Sequence, residues 1–472
     1  MKRVFLVFLA IFAALYVGAE ATLKRPKNDG IVRLRWATDA NPARKVQTDL
    51  FHKLHPNIEV TVDPGLGGDQ TKLIVQCATG TGPDIVDVYD EQQMVALVEA
   101  GVLLDLTPYA RRMGFDPSKT YPAVKNGLMV GGRQYRYPCN VWANCVVYNK
   151  RVFDDHGVPY PKPNWTYRDF IETARRIRNT PSKSGQKHIV VANFSNQWFY
   201  DDLLVGYGGR FFTPDGLTCL LDSKEAIAAM KLYHDLMYVH GAIPTAAETA
   251  TMSGQGGWGS SGLTWFSTGR AAMIFIGRWY IIQLPSYPDL KGWLGAVRLP
   301  RIDGRPSTGV TDTRAAGINV KSPYRKEALL FLQYLASPQY SKVIVDDGDS
   351  LPPNPALART GKDLANKIVP DPAFHQPFID AMRDAHPLDV SPFVDDGLVM
   401  RWLKEHIEKV ENNVMRPEDA MHALAAQINQ LIRVNLERRP DLQRKYEQVT
   451  GRPYTQDWWR RYQKPQGAPP PL

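Results

Sequence analysis

The sequence contains little cysteine and no long block of one charge. Four of its 472 residues are Cys, and their spacing matches no zinc-binding signature. The net charge of +9 comes from Lys and Arg residues that are scattered along the chain. Nucleic acids and anionic membranes attract clustered basic residues, so this charge gives little support to either partner. We expect no nucleic-acid binding.

The chain also lacks the motifs of common hydrolases and nucleotide-binding enzymes. It has no Gly-x-Ser-x-Gly elbow, no His-Glu-x-x-His and no Walker loop. The Gly-rich run at 254–259 has no Lys-Ser/Thr after it and no strand before it, which favours a flexible loop over a phosphate site. We therefore expect no catalytic residues, no metal and no cofactor.

The N-terminus has the pattern of a secretory signal peptide. Lys2 and Arg3 precede an apolar run at 4–17, and a small-x-small site follows at 19–21. The run is shorter than the roughly 20 residues that a membrane span needs. We expect a signal peptide at 1–21 and an exported protein, periplasmic or extracellular. An uncleaved N-terminal anchor is the alternative.

Two of the cysteines lie close together in the sequence. Cys139 and Cys145 flank Trp142. Extended segments are expected at 134–138 and 141–148, so Cys139 lies between them and Cys145 lies within the second. An oxidising compartment permits disulfides, so these two residues could pair across a bend. Four buried free thiols are an equally good interpretation.

The first part of the chain has the pattern of a parallel sheet covered by helices. Alternating apolar segments at 31–37, 58–62 and 83–88 predict strands. Segments at 42–55 and 69–79, with apolar residues at helical spacing, lie between them. Strand and helix alternating at this spacing form βαβ units.

A second apolar run, at 271–276, predicts a strand buried on both faces. Gly277 and Trp279 follow it, where ligands bind in open α/β sheets. Trp279 is therefore a candidate ligand contact, and a core aromatic is the alternative. A further strand is expected at 316–320, with Asp312, Thr313 and Arg314 in a loop before it.

Several motifs occur in an order that resembles a known family, the sugar-type substrate-binding proteins of bacterial ABC importers (extracellular solute-binding family 1). The resemblance covers about 31–432. The motifs are Thr81-Gly-Pro-Asp84-Ile-Val, Val147-Tyr148-Asn149-Lys150, Trp165-Thr-Tyr-Arg-Asp-Phe170, Phe266-Ser-Thr-Gly-Arg-Ala-Ala-Met273, Gly277-Arg278-Trp279, and Ala316-Gly-Ile-Asn-Val320.

The resemblance implies an α/β fold of the type II periplasmic-binding-protein kind, with two α/β lobes joined by a hinge of crossing strands. The crossings are expected near 141–146, 299–302 and 350–353. The implied division is lobe I at 30–142 plus 299–350, lobe II at 143–298 plus 351–435, and a basic, Pro-ended tail at 436–472.

The resemblance also implies a function. The protein would be a monomeric receptor of an ABC importer, which captures a small-molecule carbohydrate between its lobes and delivers it to a transmembrane permease. A receptor for a polyol phosphate or other acidic solute is one alternative, with charge from Arg136, Arg278 and Arg314. A secreted carbohydrate-active enzyme is the other, which would need two opposed carboxylates.

Sugars present apolar faces and a rim of hydroxyls, so Trp rings and polar side chains are the expected contacts. By position, Trp279 and Trp198 resemble stacking rings of the family, and Trp142 falls where some relatives hold a polar contact. Asp39 and Asp90 are expected hydroxyl acceptors, although either could cap a helix, and Trp198 could be core. The complete set of expected ligand contacts is Trp279, Trp198, Asp39, Asp90, Trp142, Asn196 and Arg314.

Overall fold

The computed structural model describes residues 29–66, 70–192, 195–251 and 261–461. The expected signal peptide and the Gly-rich run at 254–259 lie outside these ranges. Within them the strands are β1 Val32–Ala37, β2 Ile58–Asp63, β3 Ile85–Val88, β4 Met129–Val130, β5 Arg133–Gln134, β6 Tyr137–Asn149, β7 Ile189–Ala192, β8 Ala271–Gly277, β9 Leu294–Arg298 and β10 Thr311–Ile318.

Helices surround these strands. A 3-10 helix over Arg278–Ser286 follows β8 directly. In the described part of the chain the α-helices are α1 Ala43–Leu54, α2 Gln70–Thr79, α3 Glu91–Glu99, α4 Thr107–Met113, α5 Pro122–Lys125, α6 Lys150–His156, α7 Tyr167–Asn179, α8 Asn196–Gly206, α9 Lys224–Tyr238, α10 Ala246–Thr251, α11 Ser261–Ser267, α12 Arg325–Leu335, α13 Pro338–Asp347, α14 Gly361–Leu364, α15 Pro372–Asp384, α16 Asp396–Glu411, α17 Pro417–Arg438, α18 Pro440–Thr450 and α19 Trp458–Arg461.

The first half of the main sheet confirms the predicted βαβ pattern. Strand β1 lies between β2 and β3 and is parallel to both, and β10 runs antiparallel to β3. Leu34 and Trp36 of β1 are fully buried, whereas Arg35 between them is exposed. The alternation places one set of side chains in the core, so the hydrophobic pattern sets the register.

Strand β6 passes from one half of the sheet to the other. Its thirteen residues pair with β10 from Tyr137 to Ala143, and with β8 and β9 from Asn144 to Asn149. The full strand order is β2-β1-β3-β10-β6-β8-β7, with β9 also paired to β6. One strand therefore belongs to both lobes, where two separate extended segments were expected.

The continuity of β6 settles the state of the cysteines. Cys139 and Cys145 lie on this single strand, and all four cysteines are buried free thiols. A strand rises about 3.3 Å per residue, which separates the two by roughly 20 Å. Bridged Cα atoms lie within about 7 Å of each other, so the disulfide alternative is wrong.

Strand β10 begins earlier than expected. Residues Asp312, Thr313 and Arg314, expected in a loop, pair in β10 with Trp142, Val141 and Asn140 of β6. The expected strand at 316–320 is therefore only the second part of β10. Hydrogen bonds to β6 hold residues 312–314 in an extended form. The hydrophobic pattern of the segment itself does not reveal this pairing.

Two further segments connect the halves of the sheet. After β9, residues 299–310 lead to β10, and Arg301 forms a bridge with Thr166 at the start of α7. Leu351 exchanges both backbone hydrogen bonds with Val141 of β6, at 3.0 and 2.9 Å. Extended crossings therefore lie in all three expected regions.

The second half of the sheet is covered by helices on both faces. Strand β8 is buried along its whole length, antiparallel to β6 and parallel to β7. This confirms the predicted buried strand. The chain after 436 continues the helical layer up to 461, because Leu442, Tyr446 and Trp458 join the same buried cluster as Leu436.

Candidate functional site

Two stacked tryptophans lie where β6 crosses between the lobes. The rings of Trp142 in β6 and Trp198 in α8 have centroids 5.2 Å apart and planes 12° apart. Both side chains are half-buried. Ser195 caps α8 by accepting a hydrogen bond from the Trp198 N–H, which sets the first turn of this helix. The structure thus brings two of the expected aromatic contacts together.

A buried carboxylate anchors α8, the helix that carries Trp198. Asp202 accepts hydrogen bonds from Asn144 of β6 at 2.9 Å and from the Val310 N–H at 2.8 Å. Burial raises the pKa of Asp202 to about 7, although both hydrogen bonds oppose the rise. Asp202 thereby ties the helix that carries Trp198 to two of the crossing segments.

Asp312 lies beside Trp142, at the opposite position of the antiparallel β6–β10 pair. Directly opposite residues share a sheet face, so the carboxylate and the indole are on the same side. The buried Arg136 guanidinium lies 3.3 Å from the Asp312 carboxylate. Burial nevertheless raises the pKa of Asp312 to about 7, and the nearby Asp90 and Glu91 oppose the attraction of Arg136.

Carboxylates from both lobes approach each other next to this position. Helix α3 of the first lobe contacts α16 of the second. Burial raises the pKa of Glu91 at the start of α3, and raises that of Asp396 at the start of α16, with a contribution from Asp90. We call Trp142, Trp198, Glu91, Asp312 and Asp396 the cleft group.

One carboxyl group of the cleft group is incompletely hydrogen-bonded. Among the described residues, the buried Oδ1 of Asp396 receives no hydrogen bond. A buried acceptor without a partner costs free energy, and a ligand hydroxyl would relieve this cost. The sequence held one clue, the Asp395-Asp396 pair at a helix start. The sequence alone could not show that the start of α16 lies near α3, which is about 300 residues earlier in the chain.

The two aspartates expected to accept hydroxyls both have partners within their own lobe. Asp90 caps α3 by accepting the Gln93 N–H at 2.7 Å. Asp39 accepts hydrogen bonds from the Arg44 guanidinium of α1 at 2.8 and 3.2 Å. Both carboxylates are half-buried, so a ligand contact stays a prediction for each.

Asn196 and Trp279 also lie at the ends of secondary-structure elements. Asn196 begins α8 and hydrogen-bonds the Glu411 side chain of α16. Trp279 follows β8, is half-buried, and packs against the apolar cluster on the side of the sheet that contains Ala143. A Cβ at Gly277 would lie 2.6 Å from the indole, so this ring requires glycine there. Stacking by Trp279 stays a prediction.

Arg314 belongs to a buried charge network in the first lobe. It donates to Asp87 at 2.7 Å and to Asp349 at 3.3 Å, and Arg44 donates to Asp349 at 2.6 Å. Burial would raise the pKa of Asp349, but the two guanidinium groups outweigh it and lower this pKa to about 2. Contact between Arg314 and a ligand stays a prediction. We call these four residues the buried charge network.

The other two arginines of the acidic-solute alternative are also buried and bonded. Arg136 donates to the Gly127 carbonyl at 2.8 Å and to the Val88 carbonyl at 3.2 Å. Arg278 donates to the carbonyls of Ser350, at 2.6 Å, and Leu364, at 2.8 Å. Each arginine would have to give up these bonds to bind an anion, which disfavours an acidic ligand.

No helix in the described part of the chain is both long and apolar enough to cross a bilayer.

Known proteins resemble this chain in sequence. The diacetylchitobiose binding protein DasA of Streptomyces coelicolor is 26% identical over 200 residues, which are 41% of this chain and 44% of DasA. The arabinooligosaccharide-binding protein of Halalkalibacterium halodurans is 24% identical over 298 residues, 61% of this chain and 59% of the relative. The matches thus span about half the length of these two relatives.

Solved structures share the fold. The ABC substrate-binding protein Lmo0181 of Listeria monocytogenes, in complex with cycloalternan, superposes with a TM-score of 0.70 at 22% identity, over 85% of this chain and 98% of that one. Maltose-bound MalE3 of T. maritima gives 0.69 at 21% identity, over 85% and 100%. The two-lobed α/β fold expected from the sequence is confirmed.

The family match covers most of the sheet and two of the three crossing segments. Residues 36–342 match the family described as bacterial extracellular solute-binding protein. This range contains strands β2 to β10, both stacked tryptophans and the last two residues of β1. The chain belongs to the bacterial extracellular solute-binding protein family.

Proposed function

We propose that the protein is the receptor of an ABC importer and captures a sugar or oligosaccharide between its lobes. The stacked Trp142–Trp198 pair at the strand crossing carries this proposal, because aromatic faces cover the apolar faces of sugar rings. The names of its relatives give further support, since they include diacetylchitobiose-binding and arabinooligosaccharide-binding proteins.

Carboxylates around the tryptophans would bind the hydroxyl rim of the sugar. Asp312 and Asp396 lie on opposite lobes, so a ligand that bonds both would stabilise the closed arrangement by a hinge motion. Their raised pKa values favour the protonated form, in which a carboxyl group can both donate a hydrogen bond to a sugar hydroxyl and accept one from it. The binding free energy would be used for recognition and closure, and the ligand would leave unchanged.

The same carboxylates keep a glycosidase in consideration as the second candidate. Its hydrolysis needs one protonated acid and one base on either side of the scissile bond, and the raised pKa of Asp312 resembles that of such an acid. The family and the similar structures are binding proteins. We propose that this chain also binds without turnover, is exported, acts as a monomer and docks a permease.

A thermal-shift screen of the purified protein against mono-, di- and oligosaccharides tests the proposal. A ligand that binds only the folded state raises the melting point by mass action. We expect one class of neutral saccharide to do so. Polyol phosphates are the comparison for the acidic alternative, and chromatography of each incubated sugar detects hydrolysis.

Trp198→Ala is the decisive variant. It removes one ring of the stack, and we expect at least a tenfold weaker affinity, about 1.4 kcal/mol. Trp293→Ala is the matched control, because Trp293 is 37% exposed and lies under Arg151, outside the cleft group. Unchanged sugar binding in Trp198→Ala would refute this site.

A further inference from the structure

Three metal-binding side chains meet in the second lobe, outside the cleft group. Asp155 and His156 end α6, and His188 precedes β7. The carboxylate and ring atoms that could bind an ion all lie within 4.8 Å of one another. His156 Nε2 is 3.1 Å from His188 Nδ1, which is 3.9 Å from Asp155 Oδ2. We call these residues the His-His-Asp triad.

The spacing fits a tetrahedral ion. Zinc lies about 2.0–2.1 Å from imidazole nitrogens and carboxylate oxygens, so two ligand atoms of a tetrahedron are roughly 3.3 Å apart. Two of the three distances, 3.1 and 3.9 Å, lie on either side of this value. The atoms of the third pair, His156 and Asp155, lie within 4.8 Å of each other. A side-chain movement of up to about 1.5 Å at the end of α6 would complete the tetrahedron.

A backbone hydrogen bond prepares His156 for metal binding. Its Nδ1 lies 2.7 Å from the Thr180 carbonyl oxygen, which can only accept, so Nδ1 carries the proton. In the neutral ring the lone pair is then on Nε2, the nitrogen that faces His188. A ligating histidine in metal sites commonly donates its other N–H to a carbonyl in this way.

Asp155 is oriented in the same manner. Its carboxylate accepts the Ser184 N–H at 2.8 Å and the Ser184 hydroxyl at 2.6 Å. The side chains of His188 and Asp155 are only 4% and 14% exposed. The two hydrogen bonds from Ser184 orient the Asp155 carboxylate toward the two imidazole rings. Its remaining lone pairs could coordinate an ion.

Solvent can reach the triad from one side. A surface groove of about 570 Å³ is lined by Asp155, Ser184 and His188, and extends to Asn149 and Trp293. Catalytic and exchangeable zinc sites keep one coordination position for water or another ligand. The groove would supply that position.

We propose that the His-His-Asp triad binds one Zn²⁺ ion, with water from the groove as the fourth ligand. Two imidazoles and one carboxylate favour zinc over Mg²⁺ or Ca²⁺, which prefer oxygen ligands. His188 would turn its Nδ1 lone pair to the ion and carry its proton on Nε2. The ion would join the end of α6 to the segment before β7 and stabilise this edge of the second lobe.

The test is calorimetric titration of the full chain with ZnCl₂ after EDTA treatment and dialysis. We expect one saturable equivalent and a higher melting point, because the ion binds the folded state. MgCl₂ should give neither effect. Co²⁺ in place of Zn²⁺ should show the intense visible absorption of a tetrahedral site.

Two variants test whether the ion binds at the His-His-Asp triad. His188→Gln and Asp155→Asn should each weaken zinc binding at least tenfold. His422→Gln is the matched control, because His422 is exposed and lies 4.0 Å from Glu418, and it should bind zinc like the parent. If His188→Gln does not fold, Asp155→Asn and the Co²⁺ spectrum still decide.

Three results would overturn the proposal: no saturable equivalent in the parent protein, unchanged affinity in Asp155→Asn, or equal loss in His422→Gln. Sugar binding is measured on the same variants. It should not change, since Trp142 and Trp198 belong to a different region. The zinc proposal and the sugar proposal can therefore fail separately.

Discussion

Two groups of buried and half-buried charges lie close to the strand crossing, and they differ in how completely they are paired. In the buried charge network, Asp87 and Asp349 each bond at least one guanidinium, and a low pKa keeps Asp349 ionised. In the cleft group, Asp312 has one guanidinium at 3.3 Å and one backbone N–H donor. Asp396 has a buried oxygen without a hydrogen-bond partner among the described residues. The completely paired charges of the buried charge network stabilise the fold. The incompletely paired carboxyl groups of the cleft group could form hydrogen bonds with a ligand.

Removing a cation from the buried charge network should have the largest effect on stability. Arg314→Met leaves Asp87 and Asp349 without one of their partners, and we expect a loss of about 3–5 kcal/mol in the free energy of unfolding. Denaturant titration measures it. Arg168→Met is the control, because Arg168 is 84% exposed beside Asp303 and should cost less than about 1 kcal/mol. If both variants lost the same free energy of unfolding, the buried ion pairs would stabilise the fold no more than the exposed pair does.

Gly277→Ala tests whether Trp279 belongs to the scaffold or to the cleft. The added Cβ collides with the indole, so the ring must move, at a cost of about 1–3 kcal/mol. Chemical denaturation gives this cost, and titration with the sugar found in the screen gives the affinity. A destabilised variant with full sugar affinity would assign Trp279 to the scaffold.

A double-mutant cycle measures the stacking within the cleft group. We expect Trp142→Ala and Trp198→Ala to be coupled by about 0.5–1.5 kcal/mol in stability, because they remove the same ring contact. The cycle uses denaturation curves of the parent, both single variants and the double variant. Strict additivity of the two changes would contradict the stacked geometry.

The last comparison is a pH dependence with opposite signs in the two groups. The pKa of Asp312 is raised from 3.8 to about 7 in the folded protein, so its contribution to stability is present at low pH and is lost as pH rises toward 7. Asp349, with its pKa lowered to about 2, contributes above pH 4, and this contribution is lost as pH falls from 4 to 2.

Asp312→Asn checks this sign. The variant should lose part of the rise in stability that the parent shows between pH 8 and pH 5, as measured by urea midpoints at both values. Asp384→Asn is a control, since Asp384 is a half-buried carboxylate that also pairs with an arginine, Arg298, and its side chain is 41% exposed. A variant that keeps the whole pH dependence of the parent would show that Asp312 does not titrate in this range.

The hydrophobic pattern predicted those strands whose own residues mark them as strands. Strands β1 and β8 were expected within one or two residues, because alternation or a continuous apolar run marks them. The first half of β10 was not, since Asp312 and Arg314 are polar and are held in extended form by β6. The extended form of this segment depends on β6, which is distant in the sequence.

The site was predictable only in part, for the same reason. The resemblance selected Trp142 and Trp198, but no pattern showed that their rings meet. Asp396 lies near Asp90 because α3 contacts α16, and His156 meets His188 from 32 positions away. Such groups are properties of the topology, and a single sequence does not reveal them.

The continuity of β6 has a consequence for how the molecule unfolds. A strand that is hydrogen-bonded to β10 at one end and to β8 and β9 at the other cannot leave one lobe without loosening the edge of the second. Cutting between Ala143 and Asn144 would give each fragment half a strand and an unpaired edge prone to association. We therefore expect the two lobes to unfold as one cooperative unit.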